Sequence, residues 1–134
     1  MEKMPMLEIP RYYKNNGQHA EQVLRYTITG EIVKADNIPA SASGDCGDIQ
    51  VKTAKASVCK GNSLIEHFKT DKAKRYAYVV TSFKEAYIMN RNEYFEFVEM
   101  FGYITYESQK NGGHQKIRLK AESKKMIEWL MTRA

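Results

Sequence analysis

Between residues 76 and 102 the chain changes its apolar rhythm without a linker, and that change limits the folds open to it. Residues 76–81 and 85–89 read as two strands joined by the polar connection Ser82-Phe83-Lys84, hence a hairpin. Asn90 and Glu93 then have the spacing of a capping box, and Tyr94, Phe95, Phe97, Val98 and Phe101 follow at helical spacing until Gly102. A hairpin running straight into an aromatic helix predicts an α/β domain whose core is supplied largely by that helix.

The flanking segments extend the same picture. Ala20, Val23, Leu24, Thr27 and Ile28 fall on one side of a helix over 18–29, with Gly30 as its C-terminal stop. Residues 48–58 contain no Gly or Pro, carry β-branched Ile49, Val51, Thr53 and Val58, and alternate between two faces, which predicts one strand. Ser63 and Glu66 repeat the cap spacing before a short helix over 64–69. Strands over 103–107 and 116–120, a turn at Asn111-Gly112-Gly113 and a last helix marked by Met126, Ile127, Trp129 and Leu130 complete the order. Residues 1–16 hold two prolines and no sustained period, so they read as a loose N-terminal arm. The turn formers clustered between Asp36 and Gly47 read as a loop. At 134 residues, this is one domain, 17–134, behind an arm, 1–16. The expected architecture is a mixed central β-sheet with helices on both faces.

Several function classes drop out. The longest apolar runs are a few residues, as at 77–80, against the roughly 20 of a membrane-spanning helix. A charge pair and a proline occupy the place of a signal peptide's apolar segment, so the expectation is a cytoplasmic protein with no membrane partner. Cys46 and Cys59 are the only two cysteines, read as free thiols, and His19, His67 and His114 lack the spacing that would complete a zinc site with them. The same histidines stand in no nucleophile context, and Gly44-Asp45-Cys46-Gly47 lacks the Gly-Lys-Ser ending of a phosphate-binding loop.

Charge points toward phosphates. The net charge is +5, with six Lys or Arg against two acids over residues 55–75 and seven against three over 107–134. Lys55 is expected on the opposite strand face, while Lys60, Lys69, Lys72, Lys74 and Arg75 follow the strand and could run along a phosphate backbone; the plainer reading is a solvated surface. Tyr12, Tyr13, Tyr103 and Tyr106 read as packing residues before base-stacking ones.

The segment richest in chemistry is 44–52. Asp48, Gln50 and Lys52 recur at period two and so share one strand face, continued by Ala54, Ala56 and Val58. Glu21 stands three and seven residues before Leu24 and Ile28, at the margin of the apolar helix face. An acid from a helix, acids in a turn, and a side-chain oxygen and a lysine two apart on a strand are the parts of a hard-cation site with a water activator beside it. An Asp–Lys pair with a glutamine hydrogen bond at a sheet edge is the alternative reading of the same residues.

This arrangement resembles the PD-(D/E)XK nuclease superfamily, and in particular small restriction-endonuclease-like proteins of phage and bacterial mobile elements. The resemblance covers residues 17–60: Glu21 in the first helix, Asp45 or Asp48 as the motif aspartate, and Gln50-Val51-Lys52 as the (D/E)-x-K element. It implies a restriction-endonuclease-like core and Mg²⁺- or Mn²⁺-dependent hydrolysis of DNA. In that scheme Asp45 or Asp48 binds the metal, Gln50 offers its amide oxygen, Glu21 binds directly or through water, and Lys52 orients and polarises the attacking water. Glutamine stands where most members carry an acid, and the aspartates lie closer to it than the common pattern, which leaves Asp36 as a third candidate. A homodimer would provide two sites for two strands. The rival expectation is a nucleic-acid- or protein-binding module that keeps the fold without cleavage.

Overall fold

The computed structural model describes residues 1–32, 45–55, 57–60, 69, 71–106 and 115–134. Along the chain these form β1 (Glu2–Pro5), α1 (Asn16–Thr29), β2 (Ile49–Thr53), β3 (Ser57–Lys60), β4 (Arg75–Val79), β5 (Glu85–Asn90), α2 (Arg91–Phe101), β6 (Gly102–Tyr106), β7 (Gln115–Leu119) and α3 (Lys124–Arg133). The fold is mixed α/β.

Four strands make the central sheet, in the order β1-β5-β4-β2. The expected hairpin is β4–β5, paired antiparallel from Arg75↔Asn90 to Val79↔Ala86, and β2 lies parallel to β4 with Gln50 beside Tyr76 and Lys52 beside Tyr78. Part of the expected loose arm is a strand, because β1 pairs antiparallel with β5 from Glu2↔Ile88 to Pro5↔Glu85. Its short length and terminal proline, which suits the edge of a sheet, hid it from a reading by period.

Alternation along β4 and β5 sends side chains to two separate cores. Tyr76, Tyr78, Tyr87 and Met89 face α2 and α3, where Tyr94, Phe97, Phe101, Met126 and Leu130 close over them. Ala77, Val79, Ala86 and Ile88 face the other way and meet Ala20 and Leu24 of α1, with Ile49 and Val51 of β2. Helices therefore cover both faces, as expected. Asn90 and Glu93 form the capping box at the start of α2, each side chain accepting from the other's backbone N–H (2.8 and 2.9 Å).

The expected strand over 48–58 is two strands in two sheets. Lys55 takes a φ of 65°, in the left-handed region, and the chain leaves the central sheet there. β3 then joins a second sheet of order β3-β7-β6. A non-glycine residue in this conformation is uncommon, and the segment has no Gly or Pro to announce a break. Gly102 does not end α2 as a left-handed cap; it is extended (φ −79°, ψ 156°) and opens β6. A Cβ there would lie 2.5 Å from the Val98 carbonyl oxygen, so glycine is what lets the strand leave the helix this closely. The expected helix over 64–69, apart from Lys69, and the turn at 111–113 lie outside the described residues.

Candidate functional site

Helix α1 supplies one wall of the site. Asn15 caps it, accepting from the Gln18 N–H (3.1 Å), and Gly30 ends it in the left-handed conformation with its N–H on the Tyr26 carbonyl (2.8 Å). Ala20, Val23 and Leu24 turn into the core, which leaves Glu21 and Arg25, four apart, together on the flank of the helix. Arg25 is buried, and the sequence reading missed it. Its spacing from Glu21 was the available signal.

The Asp45-Cys46-Gly47-Asp48 turn supplies the second wall. Cys46 and Ile49 exchange both backbone hydrogen bonds (2.9 and 3.0 Å) across Gly47, whose φ of 61° closes the turn. The Asp45 carboxylate accepts the Val51 N–H through Oδ2 at 3.0 Å, and Arg25 Nη2 donates to the Asp45 carbonyl. Asp45 is thus pinned along the outer edge of β2, against α1. Cys46 is a buried free thiol, and burial raises its pKa above the ordinary range, which keeps it an unreactive thiol.

Glu21 is the most perturbed acid described. Its pKa is pushed up to about 7, first by burial and then by the negative charge of Asp45, while the positive charges of Arg25 and Lys52 pull it back. Three charges around this corner therefore act on Glu21: the Asp45 carboxylate, the Arg25 guanidinium and the Lys52 ammonium. Two acids, one of which resists ionisation, offer hard oxygen donors, and a cation added beside them would favour the charged form of Glu21.

The other expected members are placed differently. Asp48 precedes β2 and forms a two-pronged ion pair with Arg75, whose Nε and Nη2 donate at 2.9 and 2.8 Å. The Arg75 hydrogen bond holds the Asp48 carboxyl below the usual carboxylate range. Gln50 and Lys52 do share a face, half-exposed, but it is the face of Tyr76 and Tyr78, and α1 packs on the opposite one. β2 is an edge strand of the central sheet, and from it the Lys52 charge still acts on Glu21. Of the small residues expected to continue that face, Ala54 belongs to the turn and Val58 to β3, and Ala56 lies outside the described residues. Asp36 lies outside the described residues.

Of the basic residues, Lys55 is exposed in the turn after β2, not on the opposite strand face. Lys69, Lys72 and Lys74 are exposed, Arg75 is committed to Asp48, and Lys60 lies in β3. Where α1 begins, Asn15, Asn16, Gly17, Thr53, Ala54 and Lys55 line an open cleft of about 260 Å³ at the end of β2. Gly17 near Thr53 and Arg25 at Asp45 show that α1 runs antiparallel to β2. Among the described residues, no three His, Cys, Asp or Glu side chains gather as a metal-binding group. No described helix is long and apolar enough to cross a membrane.

No protein-family model, curated protein or solved structure matches the chain. The reading of this site rests on its own residues.

Proposed function

We propose that the protein is a metal-dependent nuclease that hydrolyses phosphodiester bonds in DNA, with Glu21, Asp45 and Lys52 as its working residues. The observation that carries this reading is the setting of Glu21 on the flank of α1 beside the Asp45 turn, where burial and the Asp45 charge push its carboxyl up to about 7 while Lys52 acts on it from the strand. Mg²⁺ characteristically uses one or two protein carboxylates and completes its shell with water and substrate phosphate, so this acid pair fits it. Mn²⁺ fits by the same oxygen chemistry.

Glu21 and Asp45 would hold the ion, which supplies charge neutralisation at the phosphate. Lys52 orients and polarises the attacking water. Arg25 positions Asp45 through its carbonyl and limits the repulsion between the two acids. The cleft beside Lys55 at the start of α1 gives the DNA backbone a place to approach, at the helix end whose dipole favours an anion. Gln50 and Asp48 stand outside this inner set.

A second reading, binding without cleavage, is favoured by one specific observation: the Asp48 carboxylate is already held by Arg75, so the motif strand contributes no free acid beyond Asp45. One experiment separates the two. Supercoiled, linear and branched DNA are incubated with Mg²⁺, Mn²⁺ or chelator, using the wild type, Lys52→Ala and Glu21→Ala. The nuclease reading expects metal-dependent cutting by the wild type and its loss in both variants. Absence of cutting on every substrate, with binding that persists in chelator and weakens steeply with salt, would sink it and leave the binding module.

A further inference from the structure

Among the described residues the two sheets end in four edge strands, and three of them are blunted. β1 carries Glu2, Lys3 and Pro5, and charges and proline are what keep an edge from pairing further. The outer side of β2 is occupied, its Val51 N–H donating to Asp45 Oδ2 (3.0 Å). β3 has four residues and a register shift between Ser57 and Cys59. β6 is the exception. Its sequence, Gly102-Tyr103-Ile104-Thr105-Tyr106, has no charge and no proline, its register with β7 is unbroken, and no described strand pairs with its other side.

The phase of the β6–β7 ladder decides what that edge offers. The Lys120 N–H donates to the Phe101 carbonyl (3.1 Å) in the register that pairs Gly102 with Leu119, so the hydrogen-bonded positions are the odd ones, and Tyr103 and Thr105 turn their backbone groups toward β7. Ile104 and Tyr106 turn both of theirs outward. Gly102 turns its carbonyl outward, while its N–H donates to the Val98 carbonyl. Side chains leave both faces of the strand open, with Ile104 59% exposed on one and Tyr103 41% exposed on the other. Ile104 lies beside Ile117, which packs against the aromatic core, so the apolar row across this sheet ends in water at β6.

We propose that β6 is the interface of a homodimer, in which the β6 strands of two copies pair antiparallel about a twofold axis at Ile104 and the two three-stranded sheets become one of six. The occupant is a second copy because the strand is its own complement in that register. Ile104 exchanges both backbone hydrogen bonds with its twin, and the Tyr106 N–H of each copy meets the Gly102 carbonyl of the other. On one face the two Ile104 side chains meet and close the apolar row; on the other, Tyr103 of each copy stands opposite Thr105 of the other, an aromatic and β-branched pair. β6 brings no charge to the seam, so a chain of net charge +5 meets its copy there without like charges opposed. A seam of five residues is short of a standard interface, so the dimer is weak, with a Kd on the order of 100 μM. The proposal is independent of the nuclease reading, since Glu21, Asp45 and Lys52 lie on α1, in the turn before β2 and on β2, and none is in this sheet.

The test is sedimentation equilibrium of the whole protein from about 10 μM to about 1 mM, with the wild type and with Ile104→Lys, a change at an exposed position. Expected are a monomer–dimer equilibrium in the wild type and an association at least about tenfold weaker in the variant, where two ammonium groups face each other. Mild oxidation of Ile104→Cys and Tyr103→Cys, with the wild type as the thiol control, reads the register. Facing residues of a hydrogen-bonded pair have Cα atoms about 5.5 Å apart, within disulfide reach, whereas the two Tyr103 positions are offset along the strands by two residues, beyond the reach of about 7 Å. Ile104→Cys is expected to trap a covalent dimer that Tyr103→Cys and the wild type do not. A wild type that stays monomeric throughout, an Ile104→Lys that dimerises as the wild type does, or trapping at Tyr103→Cys as readily as at Ile104→Cys overturns the proposal.

Discussion

The two faces of the central sheet are built from different materials. On the α2 and α3 side, Tyr76, Tyr78 and Tyr87 pack with Phe97 and Phe101, and Tyr76 stacks on Tyr94 at 3.9 Å with the rings nearly parallel. Their hydroxyls that reach polar partners do so at the margin, Tyr76 on Asp71 (3.0 Å) and Tyr78 on Glu122 (3.1 Å). On the α1 side the strands present Ala77, Val79, Ala86 and Ile88, and all four buried polar or charged residues described, His19, Gln22, Arg25 and Thr53, belong to α1 or to that face. Large rings gain more from leaving water than alanine and valine do, whereas a buried imidazole or guanidinium is a cost unless it is paired. The contrast assigns stability to one face and chemistry to the other.

The largest effect should come from the aromatic face. Phe97 is fully buried and touches Tyr78, Phe101 and Trp129 with ring separations of 5.3, 5.6 and 5.8 Å. Phe97→Ala is expected to cost about 3–5 kcal/mol in urea unfolding. A cost below about 1 kcal/mol would break the comparison, because the stability would then have to lie on the α1 side.

Next in size is Glu21→Gln, which tests the opposite property of the α1 face. The Glu21 carboxyl titrates near 4.5 when unfolded and at about 7 when folded, so the folded state binds the extra proton. Its contribution is fully present below 4.5 and is lost as pH rises through 7, where a half-buried charge is forced on the fold. Glu21→Gln should therefore be more stable than the wild type by about 1–3 kcal/mol at pH 8, and the gap should close as pH falls to 4.5. Thermal melts across that range check it. Under the nuclease reading, Mg²⁺ at pH 8 should raise the wild-type midpoint and leave that of the variant unmoved.

These two residues also mark how much was legible in the sequence. Phe97 announced itself, because a capped helix with an aromatic stripe has a period that tertiary context rarely overrides. The 76–89 hairpin and the helix around Leu24 were readable for the same reason. Glu21 was singled out from its place at the margin of that helix, and its nearness to Asp45 came from a turn whose geometry depends on Gly47 and Cys46. What stayed hidden was whatever depends on a local break in a regular pattern. Lys55 turns the chain out of the sheet with no glycine to signal it, and β1 earns its place only by pairing with β5. The face of Gln50 and Lys52 relative to α1 was hidden too, since period two says which residues share a side and not which helix covers it.

The smallest effect sharpens the choice between two aspartates three residues apart. Asp45 is tied to the backbone of β2 and to α1, whereas Asp48 is held by Arg75 with side chains 34% and 51% exposed. A pair that open to solvent contributes little to stability despite its two-pronged geometry. Asp48→Ala should cost less than about 1 kcal/mol, and the cost should shrink further in high salt. Asp45→Ala removes the acceptor of a part-buried backbone N–H and should cost more, about 1–3 kcal/mol, with little dependence on salt. Asp45→Ala should also bring the Glu21 carboxyl down from about 7 by removing a neighbouring negative charge, and Asp48→Ala should leave it in place. A carboxyl-detected NMR titration of Glu21 in the two variants decides between them. Equal shifts would mean that both aspartates face the helix acid, and the assignment of Asp45 alone to the inner site would then be wrong.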